Sequence, residues 1–218
     1  MTSAPAAALR LTQDESGYLH RLAGYRTPGR GTSARHVSPG LLLVLGRLVD
    51  PPAQVLSDSG QALARNAMAE ALFGAPARPG RAGNAIWRMF TSQDSRRLIP
   101  RDLQPVLIAS HVAGLRATHA RRPHDGQVNA LIRDLTEASD EFRELRERHD
   151  VAVMRNCTKT TLHPEVGPLT LASEVLLDST GEQSLVLYTA QPGTDTTDKL
   201  ELLRVLGQQK FAELPDVR

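Results

Sequence analysis

Several things are scarce in this 218-residue chain, and each scarcity excludes something. There is one cysteine, Cys157, so no disulfide can form within the chain, which fits a reducing compartment. Aromatic residues make up only 4% of the chain, so a core must be built from Leu, Val, Ile and Ala. Only Lys159, Lys199 and Lys210 are lysines; the other basic residues are arginines, a skew that fits a GC-rich gene. The longest apolar run is Leu41–Leu45, far short of a membrane span. The N-terminus has no long apolar core of the kind a signal peptide carries. The expectation is a cytoplasmic protein with no membrane partner. Catalytic signatures are missing too: no GxSxG elbow, phosphate-binding glycine loop, dinucleotide fingerprint or HExxH. The histidines at 20, 36, 111, 119, 124, 149 and 163 show no metal-ligand spacing. A binding module with no cofactor and no metal, not an enzyme, is expected.

What is present is an uneven distribution of charge. Residues 78–122 hold nine Arg against Asp94 and Asp102, whereas 123–150 hold four Arg against eight acids. The net charge of +2 does not by itself imply nucleic-acid binding. Two readings stand: helix faces that neutralise one another, or an Arg lining for an anionic group.

Local signals then order the chain. Residues 4–23 suggest two short helical pieces, followed by a Gly/Pro/Ser linker over 24–40. Leu41–Val49 reads as an apolar helix stopped by Asp50-Pro51-Pro52. Strands are expected at 53–57 and 61–65 about an Asp58-Ser59-Gly60 turn, with an Asn66-initiated helix closed by Gly74. Helices follow, with Asn84 and Asp102 as caps, Pro105 in a first turn, and Pro123 as a stop. Val128, Leu131, Ile132 and Leu135 keep helical spacing, and Ser139 or Asp140 opens the next helix. The period then changes. Strands are expected at 157–162, 169–177 and 184–190, and a closing helix at 197–211. This predicts an α+β fold: a five-stranded antiparallel sheet, a helical middle insertion and flanking helices.

Two resemblances attach to these residues. The strand, Asp-x-Gly turn, strand and Asn-initiated helix resemble the opening of a PAS domain, so the expected fold is PAS-like. Residues 148–151, 159–171 (containing His163-Pro164-Glu165-Val166-Gly167) and 185–193 (containing Tyr188-Thr189-Ala190-Gln191-Pro192-Gly193) resemble the MmyB-like ligand-binding domain of XRE-type helix-turn-helix transcription regulators. Ser38–Leu41, Asn66–Ala69, Asn84–Trp87, Leu115-Arg116 and Ser139–Arg143 also fit that family, so the likeness spans about 38–195. Residues 1–37 are similar to the last helices of the family's DNA-binding domain plus a linker; 38–218 would be the ligand-binding domain. Two departures stand out: Arg146 and the segment Pro100-Arg101-Asp102-Leu103 occupy places where the family commonly carries an aromatic.

The resemblance implies a sensor of a small hydrophobic, fatty-acid-like molecule that modulates DNA binding through a helix-turn-helix domain largely absent from this chain. A homodimer is expected, because operators are read with two-fold symmetry. The alternative is a dimerisation module with no natural ligand. Candidate ligand-binding residues are Trp87, Met89, Phe90, Leu107, His111, Arg116, Phe142, Arg143 and Tyr188. Trp87, Met89 and Phe90 are either plain core or pocket wall. Arg116 and Arg143 each meet a local carboxylate or a ligand's acid group.

Overall fold

A computed structural model describes residues 36–73, 78–148, 157–178 and 181–212. The expected N-terminal helical pieces and Gly74 lie outside them. Among the described residues no helix is long and apolar enough to cross a membrane.

The fold is α+β. Strands β1 (Ala53–Ser57), β2 (Ala62–Arg65), β3 (Cys157–His163), β4 (Gly167–Leu177) and β5 (Gln183–Ala190) form one antiparallel sheet in the order β2-β1-β5-β4-β3. This layout is compatible with the PAS-like expectation. All of the expected strands form, with ends shifted by one or two residues.

β5 lies at the centre, and its sequence shows why. Leu185 packs with Leu45, Ala53 and Val55 on one face, whereas Val186 and Tyr188 join Met68, Leu72, Leu169, Leu171, Leu200 and Leu203 on the other. A strand covered on both faces reads as a continuous apolar run, as Leu185–Tyr188 does. The first face is covered by α1 (Pro39–Arg47), the second by α2 (Ala67–Phe73) and α8 (Thr196–Ala212).

Asn66 locks the first corner. Its Oδ1 accepts from Ala69 N at 2.9 Å, capping α2, and from Ala53 N at 2.9 Å. Its Nδ2 donates to the carbonyls of Leu48 at 2.8 Å and Pro51 at 2.9 Å. The first of these explains a correction. The apolar helix expected to reach Val49 ends at Arg47, because Leu48 turns to extended backbone and gives its carbonyl to Asn66.

The middle of the chain folds into α3 (Ala85–Thr91), α4 (Gln93–Arg97), α5 (Gln104–Arg121), α6 (Gly126–Ala138) and α7 (Asp140–Glu147). Their own core joins Ile86, Val112, Leu115, Val128, Leu131, Ile132, Leu135 and Phe142. Asn84 caps α3 by accepting from Trp87 N, and Ser139 caps α7 by accepting from Phe142 N. Asp102 does not cap α5. The chain turns over Pro100–Leu103, and Gln104 ties the helix start to α4 by donating to the Arg96 and Ile99 carbonyls at 3.1 and 3.0 Å.

This helical unit grips the β1–β2 turn. Gly60 has φ +83°, and an added Cβ there would stand 2.8 Å from the Ile86 side chain, so a side chain is disfavoured on both counts. Ala85 N donates to the Gly60 carbonyl at 2.8 Å.

Candidate functional site

The helical unit carries an open groove of about 450 Å³, lined by Arg116, His119, Thr136, Arg143, Arg146 and Glu147. Three helices build it, and local sequence sets each of them. On α5, Arg116 follows the buried Leu115, and His119 lies one turn further along. On α6, Thr136 follows the buried Leu135. On α7, Arg143 follows the buried Phe142, with Arg146 and Glu147 one turn on. Each lining residue therefore flanks an apolar stripe that pulls its helix inward. Asp125 sets the start of α6, its Oδ1 accepting from Gln127 N at 2.9 Å and Val128 N at 3.2 Å. Ser139 sets the α6–α7 corner: its N–H closes α6 on Leu135, while its hydroxyl caps α7.

The groove lining holds three arginines, Arg116, Arg143 and Arg146, with Glu147 among them and Asp140 paired to Arg143 beside it. Arg143 is bound by its own helix and the one before it: Nη1 reaches Asp140 Oδ1 at 2.8 Å and Nη2 donates to the Thr136 carbonyl at 3.0 Å. Arg116 Nη2 donates to the Leu145 carbonyl at 3.4 Å. These bonds hold both side chains with their heads at the groove. The lining is chemically suited to hold an organic anion, with the methylene stems of the arginines as an apolar backing.

The other candidates from sequence lie elsewhere. Phe142 is fully buried and meets Phe90 edge to face, centroids 5.2 Å apart. Trp87 and Phe90 pack half-buried against the same core, while Met89 is buried. Cations cover two of these rings, Arg81 standing 5.6 Å over Trp87 and Arg96 standing 5.9 Å over Phe90. The same arginines bridge the basic and acidic stretches, Arg81 to Asp134 and Arg96 to Glu141. Part of the charge asymmetry is thus neutralised between helices.

His111 and Leu107 sit one turn apart on α5, and His111 Nδ1 bonds the Leu107 carbonyl at 2.7 Å. Burial pushes the imidazole below its ordinary range; the Leu107 carbonyl opposes this and Lys159 of β3 adds to it. Tyr188 is on the sheet's inner face, edge to face with Phe73 at 5.3 Å. Its hydroxyl accepts from Gln54 Nε2 at 2.6 Å, and Gln54 Oε1 accepts from Arg65 Nε at 3.0 Å.

Of the expected residues, then, only Arg116 and Arg143 meet at the groove. Sequence reading passed over His119, Thr136, Arg146 and Glu147. Spacing offered a signal: His119 is three residues beyond Arg116, and Arg146 and Glu147 are three and four beyond Arg143, so each pair shares a helix face. Arg146 is also the place where the family commonly carries an aromatic.

No curated protein sequence matches this chain. The family model of the MmyB-like transcription regulator ligand binding domain matches residues 37–203, from just before α1 into α8, and the chain belongs to that family: it is a ligand-binding domain of transcription regulators.

Proposed function

We propose that this domain senses a small amphipathic organic acid, fatty-acid-like in character, in the α5–α6–α7 groove and reports its occupancy to the DNA-binding unit of a helix-turn-helix regulator. It acts as a binding module, not a catalyst. One observation carries this reading: an open groove of about 450 Å³ with Arg116, Arg143 and Arg146 against Glu147. Its size falls within the range of about 300–1,000 Å³ usual for small-molecule sites. A carboxylate meeting one arginine gains roughly 1.5–3 kcal/mol, and each methylene buried behind it about 0.8 kcal/mol. Ligand binding changes the regulator only to the extent that it favours one arrangement over another.

The test is thermal shift with saturated acids of increasing length and their alcohols, joined to native mass spectrometry. Acids should stabilise the protein more than alcohols, the effect should rise with length and then level off, and Arg116→Ala with Arg146→Ala should erase the preference for acid. If neither acid nor alcohol stabilises at any length, the reading fails.

A second reading, a dimerisation surface, is favoured by α1, which presents Leu42, Leu43 and Val44 to solvent at 48%, 66% and 46% exposure. A patch of this kind suits a second copy of the chain. Sensor and dimer are compatible roles for a regulator that reads a two-fold operator.

A further inference from the structure

The helix that lines the groove also carries a buried ionic cluster at its far end. From α5, Thr118 Oγ1 donates to the Asp58 carbonyl at 3.0 Å, Arg121 Nη2 reaches Asp58 Oδ2 at 3.2 Å, and Arg122 Nη2 reaches Asp58 Oδ1. Asp58 lies in the β1–β2 turn, and its N–H donates to the Glu182 carbonyl at 2.9 Å, next to the start of β5. The side chains of Arg122 and Asp58 are 5% and 11% exposed, so this is an interior contact.

Arg122 has more acids around it than it bonds. Its Nη1 stands 3.7 Å from Asp125 Oδ2 and 3.9 Å from Glu182 Oε1, and makes no hydrogen bond among the described residues. Asp125 is the cap of α6, the helix that brings Thr136 to the groove. A small rotation or slide of α5 would carry this guanidinium arm onto Asp125, towards the helical unit, or onto Glu182, towards the sheet. A buried cation shared among three carboxylates ties together the elements that carry them, the kind of ionic network that can link two sites. Burial holds the Asp58 carboxyl above its ordinary range, although Arg122 and Arg121 pull it down.

We propose that the Asp58–Arg122 pair is the joint through which occupancy of the groove reaches the β1–β2 and β4–β5 turns; the inference rests on the groove being a ligand site. An acid that draws α5 and α7 together at Arg116 and Arg143 displaces the end of α5. Arg122 then changes acceptor, and the turn at Asp58 tightens or loosens with it.

Hydrogen exchange on the full chain tests this, with decanoate as the probe. Decanoate should protect the groove helices and change exchange at the amides of Asp58 and Gly60 by about fivefold or more. In Asp58→Asn, and in the gentler Arg122→Lys, the groove should stay protected while the turn stops responding. Groove protection with a silent turn in the unmodified protein overturns the joint and leaves the sensor reading standing. If decanoate does not protect the groove, the sensor reading fails for this probe, and ligand-free protein then decides the joint. There, Arg116→Ala should alter exchange at Asp58 and Gly60, and adding Asp58→Asn should cancel the effect. An unaltered turn in Arg116→Ala overturns it.

Discussion

Gln54 Nε2 donates to the Tyr188 hydroxyl at 2.6 Å across the β1–β5 pair, inside the sheet's inner face. Both residues are buried. Removing the hydroxyl leaves a buried amide N–H with no acceptor there, a loss of about 1–3 kcal/mol. Tyr188→Phe is therefore expected to lower the urea midpoint without changing the slope. The ring itself stays edge to face with Phe73, so far-ultraviolet dichroism should be unchanged.

Asn66 does more than cap a helix. An ordinary cap lost to Ala costs about 0.5–2 kcal/mol. Asn66 also holds Ala53 N, Leu48 O and Pro51 O, so Asn66→Ala should exceed that range in equilibrium denaturation. Asn66→Asp should fail to rescue it, because a carboxylate keeps the acceptor but turns a second oxygen on the two carbonyls. Recovery by Asp would show that capping alone matters.

Burial keeps the His111 imidazole neutral below its ordinary range. Its contribution to stability is complete above about pH 6.5, where the unfolded chain is neutral as well. As pH falls, the unfolded chain takes up the proton first, so stability drops until the depressed folded value is passed. Between about pH 8 and 5 the unmodified protein should lose more stability than His111→Gln. Urea midpoints measured across that window check this; parallel curves would remove His111 from the account.

The exposed face of α1 predicts assembly. If Leu43, the most exposed of its helix leucines, is covered by a second copy, Leu43→Asp should convert a dimer to a monomer at micromolar concentration. Sedimentation velocity reads the change directly. A monomeric unmodified protein would end the dimerisation reading and leave the groove untouched.

The local elements can be read along the chain, because their causes are local. Asn84 was legible as a cap, and Ser139 as one of two candidates with Asp140, since a cap bonds an amide three residues on. Val128, Leu131, Ile132 and Leu135 were legible as a buried stripe since helical spacing alone aligns them. The alternation and the turns at Asp58–Gly60 and His163–Gly167 gave the strands nearly to the residue. Which surfaces meet was settled by packing between elements distant in the chain. It set β1 beside β5 and turned Phe90 onto Phe142, not towards a cavity. It also chose the partners of the arginines. Nine of them crowd 78–122, and a long side chain reaches many acids at similar energy. Helix packing therefore settles whether Arg122 goes to Asp58, 64 residues away, and whether Arg116, Arg143 and Arg146 share one groove. That choice depends on how α5, α6 and α7 cross, and no spacing along the chain encodes it.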